Sequence, residues 1–238
     1  EEKYHNAYER ENFYKDLFMH DMSNILQGML SSLELCNIML KNSNRYENIF
    51  EMLNNLRDQI QRGASLVKNV RKFSDIQDSE ISLRTVIVKD SLEKAINVVK
   101  NSTLKKKINI QTENLNDKIQ IQSDDFLLDI FENILFNAIK HNDNSIVEIL
   151  IRLSEIQKNS KKFLKIEFID NGYGIDDSRK LSIFKRGYKE DKSIVGIGLG
   201  LSLVYNILNR YSAKIWVENR VPEDYTKGSN FIIQFPLF

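Results

Sequence analysis

The sequence predicts two domains: an all-α helical hairpin that pairs with a second copy into a four-helix bundle, then an α+β two-layer sandwich. Three observations carry this. Residues 10–76 repeat apolar side chains at three- and four-residue spacings, interrupted once by the polar run 41–45. Around 75–80 that pattern stops, and short alternating segments follow with helical ones between them. One hairpin cannot cover apolar faces this wide, so a homodimer through residues 10–76 is expected. The competing reading packs the same faces on the second domain within one chain. The expected domains are 1–78 and 79–238.

The first helix, about 10–40, sets Phe13, Leu17, Met22, Ile25, Met29, Leu30, Leu33, Cys36 and Met39 on its apolar face. At 100° per residue, His20, Asn24, Gln27 and Ser31 cluster on the opposite, solvent side. Asp21 follows His20 directly. By itself this is a surface histidine on an amphipathic helix. A neighbouring carboxylate can nevertheless take a proton from an imidazole and leave one nitrogen free as a nucleophile. The second helix, about 46–76, spaces Ile49, Phe50, Leu53, Leu56, Ile60, Ala64, Val67, Val70 and Phe73 in the same way.

Past the linker, 81–89 reads as a strand and Asp90-Ser91 opens a helix to about Ser102. Short strands follow at 108–110 and 119–121. Ser123-Asp124-Asp125 is expected to cap a helix over 126–141. Segments 145–155 and 162–169 alternate as a hairpin would. A helix over about 199–211 and strands at 214–219 and 229–235 close the chain.

Composition narrows the function. A chain of 238 residues with net charge +1 gives no case for a nucleic-acid or membrane surface. Its one cysteine, Cys36, excludes an intrachain disulfide and reads as a small core hydrophobe. No CxxC or HExxH supports a zinc site. No apolar run approaches the roughly 20 residues that span a bilayer, and no signal peptide is visible. The chain opens without methionine and already helix-like, as expected of a piece of a longer protein whose preceding part could be a sensor or an anchor.

Three stretches of the second domain carry chemistry. On the helix at 126–141, Asn133, Asn137 and Lys140 or His141 share one face. Amide oxygens suit a hard divalent cation and an ammonium suits phosphate, although a solvated Asn-rich face would look the same. Asp170 ends a strand and is followed by Gly172 and Gly174. There a carboxylate could accept from an exocyclic amine, or form an Asx turn. Gly196-Ile197-Gly198-Leu199-Gly200 opens a helix whose exposed amides could meet a phosphate. It is not a dinucleotide fingerprint, and no GxxxxGK followed by Ser or Thr is present.

Taken in order, these stretches resemble the sensor histidine kinases, whose ATP-binding domain belongs to the gyrase/Hsp90/kinase/MutL superfamily. The resemblance covers nearly all of 12–238. His20-Asp21-x-x-Asn24 looks like the H box, 133–142 the N box and 170–174 the G1 box. Ile183-Phe184 with Gly187-Tyr188 looks like the F box, and 196–201 the G2 box. Ile215-Trp216-Val217-Glu218 and Gly228-Ser229-x-Phe231 resemble the closing strands.

The resemblance implies ATP and Mg²⁺ as cofactors, a response regulator as partner and a cytoplasmic catalytic portion. It implies His20 as phosphoacceptor, Asp21 as its base and Asn24 as the residue that orients water for dephosphorylating the regulator. Asn137, helped by Asn133, would hold Mg²⁺. Lys140 would meet phosphate and His141 would lie near the nucleotide. Asp170 would accept from adenine, in a pocket shaped by Gly172 and Gly174. Phe184 would anchor the lid, and Gly196, Gly198, Leu199 and Gly200 would cradle the triphosphate.

The chain departs from the pattern at Ile25 (usually proline), Ile197 (often threonine), Lys189 (often arginine) and Tyr211-Ser212-Ala213 (usually His-Gly-Gly). Two alternatives are a non-catalytic phosphotransfer scaffold and a serine kinase of the same superfamily.

Overall fold

The computed structural model describes residues 22–41, 46–78, 82–102, 106–184 and 199–237. They fall into two units, one running through Asp75 and the other from Ile76 onward.

In the first unit, α1 (Ser23–Lys41) and α2 (Tyr46–Asp78) occupy the two stretches whose apolar spacing is helical. Helix α2 continues into the stretch expected as linker. Residues 1–21 and 42–45, with the expected helix start and most of the expected turn, lie outside the described residues. The helices approach through small residues. A Cβ on Gly63 would sit 3.5 Å from Ile25 Cγ2, and one on Gly28 would sit 3.3 Å from the Gln59 side chain. Residues 25–29 therefore stand opposite 59–63, and the pair is antiparallel. Ile25, Cys36, Leu66 and Phe73 are buried, whereas Leu26, Leu30, Leu33, Ile38, Phe50, Leu53, Ile60 and Val67 are exposed, Phe50 at 70%. Much of the apolar stripe is thus uncovered in the single chain. Among the described residues, no helix is long and apolar enough to cross a membrane.

The second unit opens with β1 (Arg84–Ile87) and α3 (Val88–Ser102). The strand expected at 81–89 ends early, and the helix starts two residues before Asp90. The reason is a contact distant in sequence: β1 pairs antiparallel with β3 (Gln120–Ser123), and the Val88 amide donates to the Ile119 carbonyl at 3.1 Å, which ends the ladder. Val88 then turns its fully buried side chain into the core.

The helix expected at 126–141 is α4 (Leu127–Lys140). Ser123 does not cap it; it is the last residue of β3. Among the described residues no side chain caps the helix; Asp124 forms the turn that leads into it. Its carboxylate accepts from the Phe126 amide at 2.9 Å and its carbonyl from the Leu127 amide at 3.3 Å. At the other end, the Lys106 ammonium donates to the Ile139 carbonyl at 3.2 Å and to the Asn142 carbonyl, placing positive charge at the helix's negative pole.

The main sheet comprises β2 (Lys107–Glu113), β4 (Ile146–Lys158), β5 (Lys161–Asp170), β6 (Lys214–Val221) and β7 (Asp224–Leu237), in the order β2-β4-β5-β7-β6. Only β2 and β4 run parallel. The β4–β5 hairpin turns on Asn159 (φ 49°) and Ser160 (φ 62°), the type I′ signature that matches strand twist. Val147, Ile149, Ile151 and Leu153 on β4 and Leu164, Ile166 and Phe168 on β5 are buried along one face. Helix α4 packs there, with the Phe131 and Phe168 ring centroids 5.9 Å apart. With α3 and α5 (Gly200–Arg210) it forms the second layer of an α+β sandwich.

Candidate functional site

Helix α4 divides by face. Ile134, Leu135, Ala138 and Ile139 are buried, whereas Asn133, Asn137 and His141 are half-buried and Lys140 is exposed. Asn133 donates its amide nitrogen to the Asp129 carbonyl at 2.7 Å. Its amide oxygen faces the first residue of α5: a Cβ on Gly200 would lie 2.7 Å from it. The glycine thus lets the α5 N-terminus rest on the polar face of α4. Leu199, 3% exposed, anchors that end, its carbonyl accepting from the Leu203 amide at 2.9 Å.

Asp170 is the last residue of β5 and is 5% exposed. Its Oδ1 accepts from the Gly172 amide at 2.8 Å and the Ser229 amide at 3.3 Å. Among the described residues, Oδ2 accepts no hydrogen bond. Burial pushes the carboxyl up to about 6, against the pull of those two amides and the Arg220 charge. Gly172 packs beneath the His141 carbonyl, which also accepts from the Tyr173 amide at 3.1 Å. Asn142, fully buried, donates to Asn171 Oδ1 at 2.6 Å. The end of α4 and the loop after β5 are therefore one fixed frame. Gly174 closes it at φ 70° against the Tyr225 carbonyl. A cavity of about 600 Å³ opens beside it, lined by Asp143, Asn144, Tyr173, Arg220 and Lys227 among others. Phe184 stands edge-on to Phe231, with centroids 6.3 Å apart.

The described residues bring Asn133 to Gly200, and His141 to Gly172 and Asp170. His20, Asp21, Gly196 and Gly198 lie outside them, and Asn24 is exposed on the first turn of α1 in the other unit. Sequence reasoning gave no role to Gly228 and Ser229. The signal was a glycine inside a strand pattern, which marks close backbone approach. Gly228, at φ 114°, lies against the Asp170 carbonyl, and a methyl there would overlap it. Gly228→Ala is expected to destabilise the protein by about 3 kcal/mol. A thermal melt should read this as a Tm about 6–12 °C lower; an unchanged Tm would show that the contact is soft.

The arrangement fits a nucleotide with a divalent cation. It offers a buried carboxylate with an oxygen to spare, two amides on one helix face, an adjacent ammonium and a helix N-terminus. No cluster of three or more His, Cys, Asp or Glu among the described residues could hold a metal by itself. A cation here would draw on amides and phosphate oxygens.

Residues 122–238 match the model of the histidine kinase-, DNA gyrase B-, and HSP90-like ATPase family. The autoinducer 2 sensor kinase/phosphatase LuxQ of Vibrio vulnificus is 24% identical over 226 residues, 92% of this chain and 25% of LuxQ. From residue 122 onward the chain carries a domain of that ATPase type. The adaptive-response sensory kinase SasA of Synechocystis is also 24% identical, over 79% of the chain and 48% of SasA. The chain thus spans from a quarter to a half of those relatives' lengths. Among solved structures, the histidine kinase ThkA in complex with the response regulator protein TrrA matches with a TM-score of 0.67 at 18% identity, over 98% of this chain and 66% of that one. Full-length ShkA in complex with AMPPNP matches with a TM-score of 0.60 at 21% identity, over 95% of this chain and 45% of ShkA. At those identities the structures share the histidine kinase fold.

Proposed function

We propose that the chain is an ATP-dependent protein-histidine kinase core that phosphorylates His20 and passes the phosphoryl group to an aspartate of a response regulator. The observation that carries the reading is the buried Asp170, held on Oδ1 with Oδ2 left over, beside the amide face of α4. Oδ2 would accept from the exocyclic amine of adenine, fixing the base. Gly196, Gly198, Leu199 and Gly200 would lead the phosphates along the start of α5. Asn137 and Asn133 would hold Mg²⁺ by their amide oxygens, with Lys140 on phosphate. Mg²⁺, when bound, supplies charge neutralisation at the phosphates.

A ring nitrogen of His20 would form the N–P bond as the γ-phosphorus–oxygen bond breaks and ADP leaves. Asp21 would take the proton from the other ring nitrogen. Asn24 would orient the water that later dephosphorylates the regulator. These steps consume ATP, so the catalytic portion would lie in the cytoplasm.

Incubation with Mg²⁺ and γ-labelled ATP tests this. Label that survives alkali and is lost in acid is the expected result; acid-stable label would favour the serine kinase. No label despite measured nucleotide binding would favour a scaffold.

The exposed apolar stripe on α1 and α2 supports a homodimer through the hairpin. Leu30→Glu and Phe50→Glu are each expected to halve the mass seen by light scattering at micromolar concentration. A two-chain mass in both variants would move the dimer contact elsewhere.

A further inference from the structure

The far end of α5 carries a buried polar cluster that nucleotide binding does not use. Tyr211, 3% exposed, donates its hydroxyl to Asp124, in the turn that leads into α4. Burial and that carboxylate raise the phenol's pKa, so it stays a donor. Arg210 lies beside it, its guanidinium 3.6 Å from the other Asp124 oxygen and 5.9 Å from the centre of the Phe126 ring. The same guanidinium donates to the carbonyl of Ile76, in the last turns of α2, where the second unit begins. Only 11% of the Arg210 side chain and 16% of the Asp124 side chain are exposed.

Helices α4 and α5 are thus registered at two points. At one end Gly200 meets Asn133; at the other Tyr211 meets Asp124. The helix from Gly200 to Arg210 is eleven residues long, a rod of about 16 Å. We infer that Arg210 and Tyr211 are positioning residues that hook this helix pair to the chain at Ile76, so the Asn133–Gly200 cradle keeps its attitude only while that hook holds. The inference rests on the kinase reading for what the cradle does. Asp170, held by the Gly172 and Ser229 amides, sits by the C-terminal end of α4, the end farther from the hook at Asp124. The base end of the site should therefore respond less to the hook than the phosphate end.

The test uses the full chain as wild type, Arg210→Met and Tyr211→Phe, the last removing one oxygen and keeping the ring. The dissociation constant of Mg-ADP is expected to change less than twofold in both variants. The autophosphorylation rate at saturating ATP should fall about tenfold. A role in stability alone would lower Tm while leaving that rate intact, and such a result would overturn the inference.

A second readout does not depend on catalysis. Mg-ADP should alter hydrogen exchange across residues 70–78 in the wild type, because coupling between two sites is reciprocal, and should not do so in the variants. An equal response in all three proteins would also overturn the inference. Wild type that binds ADP without taking label would count against the kinase reading, leaving hydrogen exchange to decide the hook. Should Arg210→Met not fold, Tyr211→Phe decides both readouts.

Discussion

His20→Gln is expected to reduce autophosphorylation to background while leaving the nucleotide dissociation constant within about twofold of wild type. The glutamine amide keeps the polarity and roughly the reach of imidazole but has no lone pair basic enough to attack phosphorus. The residues proposed to hold the nucleotide, from Asn133 to Gly200, lie far from position 20 in sequence, and the buried Asp170 is fixed by its own β-strand neighbours. Binding and chemistry should therefore separate cleanly. Label retained in the variant would put the acceptor on another side chain. Asp21→Asn is the companion: a slower rate with unchanged affinity is expected, and equal losses of both would remove its role as a base.

Asp170→Asn should produce the largest loss of nucleotide affinity. The asparagine oxygen can still accept from the Gly172 and Ser229 amides. That leaves its NH₂ group facing the adenine amine, donor against donor. Losing a hydrogen bond to a charged acceptor costs about 1.5–3 kcal/mol, which is about a 10- to 150-fold weaker dissociation constant.

The pH dependence is a second signature. An amine donor favours the ionised carboxylate, so wild-type affinity is expected to rise as pH climbs through about 6 and then level off. The asparagine variant should show a flat profile, as read by nucleotide titration from pH 5 to 8. In the free protein the sign reverses. The folded pKa of about 6 lies above the ordinary 3.8, so the stability this carboxyl contributes is complete below pH 3.8 and is lost as pH rises through 6. The difference is about 3 kcal/mol. The ligand-free asparagine variant is therefore expected to melt above wild type at pH 7.5, and a lower Tm there would refute the account of a strained buried charge.

Periodicity made the helices legible: α2 runs from Tyr46 and overshoots its expected end by a single turn at most. Asp170 at a strand end and the amide face of α4 were also readable, because residues three and four apart on a helix, or next to a glycine pair, declare their neighbours locally. What was not readable depends on distant contacts. Val88 begins α3 because Ile119 ends the β1 ladder, and Ser123 is claimed by β3 before it can cap α4. Ser229 reaches Asp170 across 59 residues of sequence, and Asp124 reaches Tyr211 across 87. No window of local pattern contains either pair. The roles of His20, Asp21, Gly196 and Gly198 rest on the sequence alone, since the described residues do not include them.

The strand order has a consequence for self-association. With β2 and β6 outermost among the described residues, the sheet presents two unpaired backbone edges, the usual templates for runaway strand addition. Both are blunted. β2 carries Lys107 and Glu113, the latter tied to Arg152, and β6 breaks register between Asn219 and Val221 beside Arg220. If the chain pairs through its helices as proposed, copies can thus crowd without polymerising. The sheet edges discourage association, and the exposed leucines of α1 and α2 are left as the apolar surface for it.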